Sequence, residues 1–278
     1  MPPKAGTAFV AHHDRLALFH ETRDGQAFWS DYWLGDHTRK EIERASTGTL
    51  DPGFDCFLDM VTRLVPSTGT ILEAGCGPGY AVAALHARGY RATGLDNVPE
   101  IVAFTRSVNP ALDMQVGDVE ALPFPDASFD CYASLGVVEH FEQGPARVIA
   151  EAYRVVKPGG VAIFEMPFLN ALRANHLQRI RAARAPSNLT FYQYYYAADE
   201  MTALLAAAGF DVLERVPNCW EGVVYREHPI FARFWSSPLA VGPIKDPIRR
   251  LVKALPYAGR LRYAHTMAFA CRRPAASR

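Results

Sequence analysis

What this 278-residue sequence lacks narrows its chemistry first. Its 29 basic and 29 acidic side chains leave no formal net charge, so no global basic field attracts nucleic acid. The five cysteines, Cys56, Cys76, Cys131, Cys219 and Cys271, are scattered, odd in number and include no C-x-x-C pair. That pattern predicts reduced thiols in a cytoplasmic protein and no metal site. No run approaches the roughly 18–20 consecutive apolar residues of a membrane span. The opening Met1-Pro2-Pro3-Lys4 has no apolar stretch of the kind a signal peptide needs, so no leader is expected. There is no Gly-Lys-Ser/Thr, which excludes the phosphate loop of nucleotide hydrolases. No internal repeat or low-complexity tract stands out.

What is present is a chain long enough to bury a sizeable core, 49% hydrophobic, with a mean hydropathy of −0.05. Its most informative stretch is Ile71-Leu72-Glu73-Ala74-Gly75-Cys76-Gly77-Pro78-Gly79-Tyr80, followed by Ala81 to Arg88. An apolar run, a glycine-rich turn and a helical segment follow one another. Glycine lets the backbone turn tightly and lets a ligand approach the main chain, and a helix N-terminus offers it unpaired N–H groups. The dinucleotide fingerprint G-x-G-x-x-G is broken, because Tyr80 stands where its third glycine belongs, and that weighs against a nicotinamide dinucleotide.

Further acids stand at the ends of later predicted strands. Arg91 to Asp96 reads as a strand, and Asp96 lies 21 residues after Gly75. An acid at that distance suits a ribose diol, since an ionised carboxylate is a pure acceptor. Pro99 to Val108 reads as helix, with proline in the first turn. Leu112 to Val116 is the next strand, leading into Gly117-Asp118-Val119-Glu120-Ala121-Leu122-Pro123-Phe124. Ser128 to Leu135 has the near-continuous apolar character of a buried parallel strand and leads into Gly136-Val137-Val138-Glu139-His140-Phe141. Helix is expected from about 143 to 156, a stop and turn at Lys157-Pro158-Gly159-Gly160, and strands at 161–166, 210–216 and 264–272. Helix is also expected at 198–208.

The stretch Glu73 to Gly79 and the stretch Gly117 to Phe124 resemble two motifs of the class I S-adenosylmethionine-dependent methyltransferases, of the type acting on small molecules. The resemblance covers about residues 70–167, with support from 197–217 and 264–272. It implies an α/β, doubly wound, mostly parallel seven-stranded sheet whose last strand is antiparallel. It also implies S-adenosylmethionine as cofactor, held by Glu73, Gly75, Cys76, Gly77, Gly79, Asp96, Asn97, Asp118, Val119 and Leu135. Asp118 would take the adenine amino group, with the Val119 N–H facing the ring. His140 and Glu139 fall in the loop where acceptor and cofactor meet in this family. His140 is the expected base for an oxygen acceptor, unless it is a structural histidine, and Glu139 the residue that orients it or binds substrate.

The flanking segments are expected to cover this domain, which spans 70–273. Residues 1–69 read as a helical, aromatic lid, with Tyr32 and Trp33 chosen from the cluster Phe28-Trp29-Ser30-Asp31-Tyr32-Trp33. Phe54, Phe57, Leu58, Val61 and Leu64 fall at helical spacing. Residues 168–196 and 218–263 are insertions expected to form the substrate cover. Pro229 to Tyr263 holds seven basic residues and one acid, Asp246, with Ile248, Leu251, Val252 and Leu255 on one helical face. A lid is the favoured reading; peripheral contact with an anionic membrane through 229–263 is the other. The expected function is methyl transfer to a small-molecule acceptor, oxygen being favoured over nitrogen or carbon, with no nucleic-acid partner. Three alternatives stand beside it: a module that binds S-adenosylmethionine without catalysis, an enzyme on lipid like the cyclopropane synthases, and, less favoured, an NAD-dependent oxidoreductase.

Overall fold

The computed structural model describes residues 6–21, 25–180, 188–227, 233 and 242–275. The central sheet has seven strands in the order β5-β4-β3-β6-β7-β10-β9. These are β3 (Thr70–Ala74), β4 (Arg91–Asp96), β5 (Asp113–Val116), β6 (Phe129–Leu135), β7 (Val156–Pro167), β9 (Asp211–Asn218) and β10 (Thr266–Arg272). β3, β4, β5, β6 and β7 pair in parallel, and β10 lies antiparallel between β7 and β9. The expected sheet, with its reversed last strand, is the observed one.

Strand geometry explains why the sheet is covered on both faces. Successive side chains point to opposite faces. Leu72, Tyr132, Ala162 and Phe164 join one apolar cluster, with Ile149 and Val155 of α6 (Ala146–Val155) and Met201 and Leu205 of α8 (Ala198–Ala207). Their neighbours Ile71, Cys131, Val161 and Ile163 join the other, with Phe57 and Val61 of α3 (Asp55–Leu64) and Val82 and Leu85 of α4 (Tyr80–Ala87). Helix α5 (Pro99–Val108) begins at its proline and buries Ile101 and Val102. The expected turn at 157–160 lies inside β7, which runs from Val156 with Gly159 at φ 82° and a register shift against β6. The glycines let the strand bulge without ending.

The first residues of the segment expected to be a helical, aromatic lid form strands. β1 (Thr7–His12) and β2 (Arg15–His20) form a hairpin. Its two turn residues, His13 and Asp14, both have positive φ, 47° and 61°, as a tight hairpin turn requires. β2 also pairs with β8 (Thr190–Tyr195), which comes from the 168–196 insertion after α7 (Ala171–Ile180). The result is a separate three-stranded sheet. Helices α1 (Gly25–Trp33) and α2 (Asp36–Ala45) then supply the helical part of the segment.

The described part of the 218–263 insertion, expected to form part of the substrate cover, is helical. α9 (Trp220–Glu227) packs with the helices Gly242–Lys253 and Tyr257–Tyr263. The Trp220 indole donates to the Val252 carbonyl at 2.9 Å, and the Arg260 guanidinium lies 4.6 Å over the Trp220 ring. The Tyr257 hydroxyl donates to the Arg215 carbonyl of β9. On the basic helix Val252 is buried, whereas Leu251 is 71% exposed. Phe231, Phe234 and Trp235 lie outside the described residues.

Candidate active site

The site lies at the carboxyl ends of β5, β4, β3 and β6, where an open parallel sheet binds its ligands. A cavity of about 660 Å³ runs along this edge. At its centre the chain leaves β3 and turns through Gly75 and Gly77, both at positive φ, 76° and 50°. The turn is pinned to β4, because the Gly75 and Cys76 N–H groups donate to the Leu95 carbonyl at 2.7 and 3.0 Å. A Cβ on Gly75 would stand 2.5 Å from Val137 Cγ2, and one on Gly77 would stand 3.4 Å from Trp33 Nε1. Gly79, at φ 70°, precedes α4 and does not line the cavity.

Four acidic residues line the cavity, Glu73, Asp96, Asp118 and Glu120, and the first three follow the strand ends. Glu73 is buried and accepts from the Val82 N–H at 3.1 Å, one of the donors that the start of α4 leaves unpaired. Desolvation pushes its pKa up to about 8, against the effect of that hydrogen bond. Asp96 is 8% exposed; its two oxygens accept from the Gly77 and Val98 N–H groups at 2.8 and 3.0 Å. Burial raises its pKa, and the backbone donors counteract part of that rise. Asp118 is exposed; one oxygen accepts from the Glu120 N–H at 2.8 Å, which fixes the turn after β5.

At the other end of the row the chain after β6 forms a short 3-10 turn, Val138–His140. His140 lines the cavity, with its Nδ1 2.7 Å from the Tyr192 carbonyl oxygen. A fifth of its side chain is exposed. Desolvation pushes its pKa down to about 4, so the imidazole is neutral at neutral pH. Trp29 stands edge-on to it, ring centroids 5.2 Å apart, and Tyr192 packs behind at 4.8 Å.

Of the residues predicted from sequence, Glu73, Gly75, Cys76, Gly77, Asp96, Asn97, Asp118, Val119, Leu135, Trp33 and His140 share this cavity. Three lie outside its lining: Gly79, which precedes α4, and Tyr32 and Glu139. Tyr32 is 63% exposed and lines a smaller neighbouring cavity, beside Trp33 and His37. Glu139 is 2% exposed and lies outside the lining. Nor does Glu139 orient His140: its Oε1 is 3.9 Å from Nε2, too far for a hydrogen bond. The Tyr192 carbonyl holds the ring instead. Burial pushes the Glu139 pKa up to about 8, and its Oε2 is buried without a hydrogen-bond partner.

Gln26, Trp29, Phe54, Tyr80, Val137 and Phe141 line the cavity without having been anticipated. For Trp29 a signal existed. Residues three and four apart share a helix face, so Trp29 has both Tyr32 and Trp33 beside it, and the spacing ties it to the predicted pair without saying which of them lines the cavity. None of the described residues of 218–263 lines the cavity, and 168–196 backs its wall through Tyr192 without lining it. Among the described residues, no cluster of three or more His, Cys, Asp or Glu side chains could hold a metal ion.

The parallel sheet with one reversed strand, and the glycine turn at its edge, define a class I methyltransferase fold. Residues 72–164 match the family described as a methyltransferase domain. A protein of Mycolicibacterium smegmatis named "probable S-adenosylmethionine-dependent methyltransferase" is 35% identical over 142 residues, 51% of this chain and 52% of that one. The malonyl-acyl-carrier-protein O-methyltransferase of Erwinia billingiae is 38% identical over 120 residues, 43% and 45% of the two chains. The chain spans about half the length of the relatives it matches. Among solved structures, a chain from the complex of a Haloferax volcanii methyltransferase activator with its methyltransferase superposes with a TM-score of 0.57. It is 22% identical and covers 91% of this chain and 99% of that one. The cyclase SpnF superposes with a TM-score of 0.53 at 19% identity, covering 91% and 98%. At these identities the superpositions show the fold alone. Residues 72–164 thus match a methyltransferase domain, set within a class I methyltransferase fold.

Proposed function

We propose that this protein is an enzyme that transfers a methyl group from S-adenosylmethionine to an oxygen of a small molecule. One observation carries the reading. Asp118, Asp96 and the Gly75–Gly77 turn follow one another along a single cavity, at the ends of β5, β4 and β3. The donor types suit the cofactor. Asp96 is an acceptor for a ribose diol and Asp118 for an adenine amino group. The bare backbone of Gly75 and Gly77 leaves room that a Cβ would take. When bound, the cofactor supplies a methyl group on a sulfonium and leaves as a neutral thioether. The protein's own contribution is therefore position and proton removal. His140, neutral and wall-mounted, is the base, and Trp29 and Trp33 of α1 close the cavity over it.

The oxygen preference draws on the Erwinia relative's name and on His140, since a hydroxyl acceptor must lose a proton. The test is calorimetric titration with S-adenosylmethionine and with NAD, followed by assay of S-adenosylhomocysteine release with and without pooled acceptors. Binding of NAD in preference to S-adenosylmethionine would overturn the cofactor reading. Cofactor binding with no release on any pool would leave a binding module.

A further inference from the structure

The far end of the cavity has a composition that selects its ligand. The row of carboxylates ends at β3, and beyond it the lining is Leu135, Gly136, Val137, His140, Phe141 and Trp29. From β5 to β6 is three strand spacings, or about 14 Å at ~4.8 Å each, so Asp118 and His140 stand at opposite ends. Among the described residues that line the cavity there is no lysine or arginine. Apart from the cofactor's own sulfonium, an anionic acceptor would meet no counter-charge among the described lining residues, in a space that already holds Glu73, Asp96, Asp118 and Glu120. Carboxylates are bound where a guanidinium or ammonium can pair with them, and a buried unpaired charge is costly.

The remaining features fit a flat, uncharged group. Trp29 offers an indole beside His140, and its own back is supported by Phe28 and Tyr192, with ring centroids 5.0 and 6.2 Å away. Aromatic surfaces favour stacked or edge-on rings. The Tyr192 carbonyl occupies Nδ1, so the free lone pair of His140 is on Nε2.

Resting on the methyltransferase reading, we propose that the acceptor is an uncharged ring compound bearing a weakly acidic hydroxyl, of the phenol or enol class. A carboxylate acceptor is disfavoured, since the described lining offers no cationic side chain to hold it. The hydroxyl proton passes to His140 Nε2 as the oxygen gains its methyl group.

The test uses the full chain saturated with S-adenosylhomocysteine and two probes of one shape, 2-naphthol and 2-naphthoate, at neutral pH. Equilibrium dialysis is expected to show 2-naphthol bound at least ~10-fold more tightly, a gap of about 1.4 kcal/mol. Trp29→Ala should weaken 2-naphthol about 10-fold or more while S-adenosylhomocysteine affinity holds, and Trp29→Phe should restore much of it. Equal or tighter binding of 2-naphthoate overturns the proposal. So does failure of both probes to bind the loaded protein, or an unchanged 2-naphthol affinity in Trp29→Ala. Failure to bind S-adenosylhomocysteine at all strikes instead at the cofactor reading beneath it.

Discussion

The Nδ1 atom of His140 and the carbonyl oxygen of Tyr192 are 2.7 Å apart. A carbonyl only accepts, so Nδ1 carries the hydrogen and Nε2 is left as the acceptor nitrogen. Tyr192 belongs to β8, which is held by β2 of the N-terminal hairpin. The tautomer of the histidine after β6 is thus set by a small sheet built from residues 7–20 and 190–195.

His140→Ala is expected to lower turnover about a hundred- to ten-thousandfold, the usual contribution of a positioned base, with S-adenosylmethionine affinity unchanged. With its pKa near 4, the acidic limb of the rate profile should fall at about that pH and not near 6.5. Steady-state kinetics across pH check both. Wild-type turnover in the mutant would return His140 to a structural role.

The same histidine makes a stability prediction. Its pKa is lower folded than unfolded, so between about 6.5 and 4 the unfolded chain binds more protons. Its contribution to stability is therefore present above about pH 6.5 and lost as pH falls towards 4. His140→Gln should flatten that part of the dependence of Tm on pH.

Glu139 behaves in the opposite sense. Its folded pKa near 8 exceeds the ordinary 4.5, so the folded state holds the proton that the unfolded state releases, and stability declines as pH rises from about 4.5 to 8. Glu139→Gln should leave Tm almost unchanged at pH 4.5 and raise it increasingly towards pH 8. A Tm difference independent of pH would show that Glu139 is ionised in the folded protein.

Asp96→Ala should weaken S-adenosylmethionine about ten- to a hundredfold, because an unmet buried polar group costs ~1–3 kcal/mol. It should also lower stability, since the Gly77 and Val98 N–H groups lose their acceptor. Calorimetry and thermal unfolding separate the two effects. Unchanged affinity in a folded mutant would remove Asp96 from the cofactor site.

Gly75→Ala meets two obstacles. The residue sits at φ 76°, where an L side chain is strained by about 1–3 kcal/mol, and its Cβ would strike Val137. Adding Val137→Ala should recover part of the lost Tm by relieving the clash, and the rest should persist as backbone strain. Full recovery in the double mutant would assign the whole cost to the clash.

The sequence by itself determined the frame of the methyltransferase domain. Strand, turn and helix from Ile71 to Arg88 follow from local rules: an apolar run, glycines that accept positive φ, and a helix that packs its small residues. Asp96 stood out by its spacing from Gly75 at the end of the next strand, and Asp118 by the resemblance of its stretch to the family's motif. The hairpin at 7–20 was missed because its turn is His13-Asp14, not a glycine pair, and its partner β8 lies some 170 residues away in sequence. Which aromatics close the site, and which group holds His140, were decided only by tertiary packing. Trp29 enters the cavity and Tyr32 leaves it because α1 lies across the sheet edge at one particular rotation. Glu139 neighbours His140 in sequence, yet it is buried behind the wall while His140 lines the cavity. Those outcomes depend on how separate elements dock, and no local pattern of residues encodes that.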